Sequence, residues 1–270
     1  MSDMSQLWAF TTPLDNLIEA LTITRKEKVR RPIEARLEKA MAKAFAAQGA
    51  TLLTKLAEAH VQESYGIREA GDFSWEKAFD ATANQTIADF LGPIVDAVEA
   101  TMEAAAAELT KDLKLDTSFD LKNPRAVEYI KSRGAANVKG INDTTREALR
   151  NIIAKATEDS KSYTEIAALI RAAFGEMAKW RAQLIAVTEV GNAYEAGNRV
   201  LVNDLIDGGL EMEKSWLTVG DDRVDPECIE NEAEGWIPVD QLHKSGHDQP
   251  LAHPRCRCTE LYRRKGSENK

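Results

Sequence analysis

Between Ile33 and Ala59 the chain places Ile33, Leu37, Met41, Phe45, Gly49, Leu52, Leu56 and Ala59 at steps of three and four. That spacing traces one face of an α-helix and cannot be a strand, whose faces alternate every second residue. A long helix with a single apolar stripe needs a partner to cover it. Gly49 reads as its weak point, at about 1 kcal/mol relative to alanine. A second stripe runs through Trp75, Phe79, Ala83, Ile87 and Phe90, then Ile94, Val98, Met102, Ala105, Leu109 and Leu113. Asp72 or Ser74 can cap it, and Gly92-Pro93 should kink or end it. The two stretches are expected to form an antiparallel pair, for packing or for docking onto another protein. Upstream lie an apolar patch (Leu7, Trp8, Phe10), a short helix predicted over 14–22, and a linker through "RKEKVRR" ending at Pro32. His60 has no partner nearby in sequence and reads as a structural or surface histidine.

The stretch "LDTSFDLKNP" (115–124) is a composition shift and the expected domain boundary. Three helices are predicted after it. Thr144 and Glu147 stand in capping-box spacing, as do Ser162 and Glu165, with Gly175 placed to close the second helix. The third should run over 177–205 on a stripe of Trp180, Leu184, Val187, Gly191, Tyr194, Asn198, Leu201 and Leu205. From Lys214 the texture changes to short β-type runs separated by Gly, Asp and Pro. The expected fold is therefore mainly α: an N-terminal helical region (1–115), a helical middle (116–212), a small α+β unit (213–262) and a basic tail (263–270).

Of the 270 residues 43% are hydrophobic and 29% charged, enough for a buried core under a solvated surface. No apolar window reaches the ~18 residues of a membrane span. The first residues lack the basic and apolar regions of a secretory signal. Three cysteines cannot all pair within one chain, so reduced thiols in a cytosol are expected. The net charge of −9 argues against non-specific DNA binding as the main task. The charge is uneven, however: seven acids and one base lie in 221–234, and five bases and one acid in 255–265.

Two of the three cysteines and one of the four histidines fall in "LAHPRCRC". With Cys228, the residues His253, Cys256 and Cys258 supply three thiols and one imidazole, a donor set that suits Zn2+. Cys256 and Cys258 share a face of an extended segment. A unit of about 50 residues rarely supplies enough core alone, so a structural zinc ion, closed and four-coordinate, would explain the cluster. His243, His247 and Asp225 are reserve ligands. Alternatively, Cys256 and Cys258 are buried thiols and His253 hydrogen-bonds in a turn.

"WLTVGDDRVDPEC" followed by "HPRCRC", preceded by "RAQLIAVTEVGNAYEAG", resembles the phage Mu F-like head morphogenesis family, as does the helical run over 123–174. The residues carrying the likeness are Arg181, Ile185, Thr188, Glu189, Trp216, Asp221, Arg223, Val224, Cys228, His253, Cys256, Arg257 and Cys258. The resemblance implies a minor capsid protein of a tailed phage or prophage. Such a protein is made in the host cytoplasm, packaged in the virion at the head interior or portal vertex, and associated with portal, major capsid or scaffold proteins during head assembly or DNA delivery. Many relatives resemble Cys-Pro-x-Cys where this chain has Asp225-Pro226-Glu227-Cys228. Asp225 could supply an oxygen ligand there, or His253 could complete the site.

The residues also suggest a polar link in which Glu189 pairs with Arg223 or Arg257 and fastens the β-unit to the long helix, with Arg181, Thr188 and Asp221 nearby. Arg255, Arg257, Arg263, Arg264 and Lys265 form a basic edge that could touch packaged DNA weakly. No catalytic motif is present, so no enzyme activity is expected. The competing enzymatic reading is a metal-dependent hydrolase or toxin-like effector with Glu227 or Glu230 as base.

Overall fold

The computed structural model describes residues 13–65 and 74–267. Leu7, Trp8, Phe10 and Asp72 lie outside them. The chain is mainly α, with a small antiparallel sheet near the C-terminus, as expected. In order, the elements are α1 (Pro13–Ser64), α2 (Trp75–Gln85), α3 (Ile87–Asp112), α4 (Pro124–Glu158), α5 (Tyr163–Glu176), a π-helical turn (Met177–Arg181), α6 (Ala182–Asp207), β1 (Met212–Leu217), α7 (Pro226–Ala233), β2 (Ile237–Pro238) and β3 (Thr259–Arg264). They group into two compact units interleaved in sequence. The first takes the chain through Ile33, Thr101–Leu121 and Val190–Lys270; the second takes Glu34–Ala100 and Lys122–Glu189. One crossing, at 121/122, falls within the 115–124 composition shift.

The expected break before Pro32 does not occur, because α1 is continuous from Pro13 to Ser64. Its charged stretch is made of good helix formers, and the inward face extends upstream of Ile33 through Lys26 and Arg30, which are 1% and 2% exposed. Pro32 sacrifices one backbone hydrogen bond without ending the helix. All eight residues of the 33–59 stripe are buried. Gly49 is no defect: a Cβ there would stand 2.7 Å from Phe174 Cγ, so the glycine admits α5. Ser74 caps α2 by accepting from Lys77 N. The break after α2 falls at Thr86 and not at Gly92-Pro93. Thr82 and Thr86 hydroxyls donate back to the carbonyls of Ala78 and Thr82, a pattern that bends helices, while Pro93 is carried inside α3 between fully buried Phe90 and Ile94.

In the second unit Phe45 meets Phe90 edge-on at 5.1 Å, and Gln48 Nε2 donates to Thr86 Oγ1 at 3.3 Å. Rising numbers on α1 thus meet falling numbers at the start of α3, so the two run antiparallel there. Asn123 caps α4 ahead of Pro124, which leaves Thr144 and Glu147 in mid-helix and overturns the cap expected there. The Ser162/Glu165 capping box is present, but Gly175 does not close α5. The chain passes instead through the π-turn into α6. That wider turn resets the helical phase: Trp180 is 50% exposed, while Met177, Arg181 and Ala182 point inward.

In the first unit the sheet order is β2-β1-β3, with Met212 opposite Arg264 and Leu217 opposite Thr259. Met212, Val239 and Tyr262 of this layer pack with Val202 of α6, against Leu109 and Leu113. Gly197 of α6 lies so close to α3 that a Cβ would stand 2.5 Å from the Met102 carbonyl oxygen and 2.7 Å from its Cα. Backbone cannot step aside as a side chain can. Gly197→Ala is expected to cost about 1–3 kcal/mol through overpacking, read as a lowered urea midpoint. Gly140→Ala, where a Cβ meets nothing within 4 Å, should be neutral or slightly stabilising.

Candidate metal centre

Asp225 precedes Pro226, the first helical residue of α7, in extended conformation. An aspartate there ordinarily caps the helix through its side chain. Asp225 makes no such bond, and its Oδ2 lies 2.9 Å from His253 Nε2. The first turn of α7 carries Cys228 inward, fully buried. The helix is held by Glu232, whose carboxylate accepts from Thr218 N at 2.7 Å and Thr218 Oγ1 at 2.8 Å, and by Asn231, which bonds Ser245.

The opposing wall is the segment 251–258. A turn closed by Cys256 N donating to His253 O brings the histidine and the first thiol to one side. Arg255, at φ 65°, takes the left-handed position of that turn. The chain then extends into β3, and Cys256 and Cys258 both face inward, 2% and 3% exposed.

Cys228, His253 and Cys256 converge: one ligand atom from each lies within 4.8 Å of the others. Cys228 Sγ is 3.9 Å from Cys256 Sγ and 4.0 Å from His253 Nε2. With Zn–S near 2.3 Å and Zn–N near 2.0 Å, a tetrahedral site has S···S edges of about 3.8 Å and S···N edges of about 3.6 Å. The group therefore fits a metal of that size and preference. Hydrogen bonds from Cys228, then Cys258, then backbone amides hold the Cys256 thiol far below its ordinary range, while Cys256, Cys258 and burial push Cys228 up. One thiolate is already favoured here, and a cation would favour a second.

Cys258 belongs to the same buried cluster, with Trp216, but not to the convergent triplet. Two of the reserve histidines are engaged elsewhere. His243 lies 2.9 Å from Glu260 and edge-on to Trp216, and His247 bonds Ser245. His60 stacks on Tyr163 at 4.3 Å.

Glu189, Arg223 and Arg257, expected to pair in the polar link, each have partners within their own unit. Arg257 grips Asp221 with a two-pronged contact, 2.7 Å on each prong, and Arg223 adds 3.1 Å. The Arg257 fork holds the Asp221 carboxyl well below the usual carboxylate range. Glu189 accepts from Asn137 and lies 3.6 Å from Arg133, both on α4; burial raises its pKa. Arg181 donates to Thr145 Oγ1 and Ile141 O on α4 and lies over the Phe45 ring. Thr188 Oγ1 is buried without a hydrogen-bond partner among the described residues.

The basic edge is largely neutralised. Arg263 pairs with Glu213 and lies over the Trp236 ring, and Lys265 pairs with Glu211. Arg255 and Arg264 are exposed.

Sequence reasoning missed the anchor behind the cysteine segment. Lys26 Nζ donates to Glu195 Oε1 at 2.8 Å and to the Cys258 carbonyl. Glu195 also accepts from Thr259 Oγ1 at 2.9 Å and Glu260 N at 3.1 Å. The signal was available: Lys26 and Arg30 continue the apolar stripe at helical spacing.

No curated protein and no solved structure matches the chain. Residues 147–261 match the family described as Phage Mu protein F like protein, a span that holds Cys228, His253, Cys256 and the Asp221–Arg257 fork. That segment, less than half of the chain, is similar to the Phage Mu protein F like family.

Proposed function

We propose that the protein is a minor capsid protein of a tailed phage or prophage. It is made in the host cytoplasm and enters the procapsid by association with portal, major capsid or scaffold protein, at the head interior or portal vertex. The family match over 147–261 carries this reading. In its support, no helix among the described residues is long and apolar enough to cross a membrane. The N-terminal region, 1–115, lies outside the matched segment and is the proposed docking part. The test is co-expression of the full chain with its phage's portal and capsid proteins, followed by mass spectrometry of purified procapsids. A few copies per particle are expected, and particles devoid of the chain would refute the reading. Deleting 1–115 would be a poor test, since it removes Lys26 from buried Glu195. Charge reversals at exposed residues of α1 serve better.

The same proposal gives the thiol–imidazole group a structural zinc ion. It would tie α7 to the segment 251–258 and need not turn over a substrate. Glu227 and Glu230, the bases a hydrolase would use, are exposed residues of α7, and neither lines the cleft formed by Arg223, Asp225, Cys228, His253 and Cys256. A role in DNA contact is reduced to Arg255 and Arg264. Replacing both should leave the salt dependence of any DNA binding nearly unchanged if DNA is not a partner; a slope reduced by about two would restore that reading.

A further inference from the structure

We propose that Cys228 and Cys256 are a redox latch: under an oxidant of the hydroperoxide class they couple into a disulfide, and that bond ties α7 to the segment 251–258 when no ion does. The latch does not depend on the zinc reading. Its biological setting does rest on the proposed function, since a virion leaves a cytoplasm that keeps thiols reduced.

The first observation is proximity. Cys228 Sγ and Cys256 Sγ lie 3.9 Å apart, and both are free thiols, 0% and 2% exposed. A disulfide is about 2.05 Å long, so each sulfur has to move only about 1 Å. The chain holds three cysteines, and all three are in this one buried cluster, so no thiol elsewhere in the chain competes for the bond.

The second is which thiol is free to move. The Cys258 thiol hydrogen-bonds to both of the others. Its backbone is fixed, however: its carbonyl accepts from Lys26, and Glu195 holds Thr259 and Glu260. Cys256 lies ahead of that anchor, in the turn closed on His253 O. Joining Cys256 to Cys258 would contract the extended segment that leads into β3. Cys228 and Cys256 come from separate segments and need no such contraction.

The third is access. Cys228, Cys256 and Cys258 line a cleft of about 20 Å³, room for one water-sized molecule. Hydrogen peroxide is close to that size. One thiol takes an oxygen atom from the peroxide, becomes a sulfenic acid and releases water. The second sulfur then displaces that oxygen as a further water, and the S–S bond forms. In sum, two thiols and one peroxide give one disulfide and two waters.

The experiment treats the full-length chain, reduced and stripped of metal, with one equivalent of hydrogen peroxide. The intact mass should fall by two hydrogens. Trypsin cuts after Arg255 and Arg257 and so separates Cys256 from Cys258; the digest should hold Cys256 linked to Cys228. A link through Cys258, a disulfide between chains, or thiols left unreacted would overturn the inference. Hydrogen exchange gives an independent arm. Across 225–234 the oxidised protein should exchange at least about ten-fold more slowly than the reduced, metal-free protein. Equal exchange would mean that the bond latches nothing. Cys258→Ser should still form the link, and its loss there would count against Cys228 and Cys256 as the pair. Zinc added before the peroxide should protect both thiols. Coupling unaffected by zinc would remove the zinc reading and leave the latch standing.

Discussion

Lys26→Met is expected to destabilise the protein by about 3–5 kcal/mol, the cost of leaving a buried charge without its partner. Lys26 and Glu195 are 1% and 0% exposed at their side chains, with 2.8 Å between Nζ and Oε1. Burial lowers the lysine's pKa against the pull of Glu195, which shows how much hydration the ammonium has given up. Methionine fills most of the lysine's volume, so a cavity contributes little and the loss is electrostatic. The carboxylate keeps its bonds from Thr259 and Glu260 but loses its only buried cation of that distance among the described residues. Adding Glu195→Gln should recover part of the loss, since an amide keeps an acceptor oxygen without a charge. Arg25→Ala is the contrast. Arg25 pairs with Asp112 at 2.6 Å, but the two side chains are 49% and 44% exposed, and such a pair is worth about 0–1 kcal/mol. Urea midpoints of the four proteins decide the matter. Equal midpoints for Lys26→Met and Arg25→Ala would show that the buried pair anchors nothing.

The same lysine marks where the sequence became hard to read. The stripe from Ile33 to Ala59 was legible because every residue on it was apolar or small, and its burial needs only helical spacing. Lys26 and Arg30 stand on the same line, but their charge makes the face look finished, and Pro32 makes it look broken. Which carboxylate neutralises a buried cation depends on contacts across 169 residues of sequence, invisible to periodicity. Trp180 shows a different limit: the expected stripe assumed a constant helical period, and one π-turn rotated Arg181 inward in its place. The Ser162/Glu165 box was readable because a turn precedes it, whereas the identical spacing at Thr144 and Glu147 lies inside a helix already capped at Asn123.

At the site, donor chemistry was the readable part. Cysteine and histidine are rare in this chain, so finding Cys228, His253 and Cys256 together required only that the α7 segment fold back. The polar link was less readable because spacing along the chain does not choose partners. Arg223 is two residues from Asp221, which also pairs with Arg257, while Glu189 bonds Asn137 of α4, 52 residues earlier. His243 looked like a reserve ligand until the sheet placed Glu260 beside it.

Withdrawing the metal should produce the second large effect, and it should be local. If free zinc in the cell stands at about a thousand times the dissociation constant, binding contributes about 4 kcal/mol to the folded state. Within the C-terminal segment α7 depends on it most. It has eight residues, too few to persist alone, and no side-chain cap at its start. Its remaining ties are the Thr218–Glu232 and Asn231–Ser245 bonds. Chelation of the reduced protein, or Cys256→Ser, should therefore accelerate amide hydrogen exchange across 225–234 and 251–258. Amides of β1 and β3 are joined along six paired positions, from Met212–Arg264 to Leu217–Thr259, and should stay protected, as should those of α4. The reductant matters, because Cys228 and Cys256 lie 3.9 Å apart and could otherwise couple oxidatively once the ion has gone. Unchanged exchange in α7 after zinc is removed would mean that the helix is held by its hydrogen bonds and the buried Cys228 side chain alone. Loss of protection throughout β1 and β3 would instead assign the ion the whole sheet, and the Lys26–Glu195 anchor would then be insufficient to hold β3 in place.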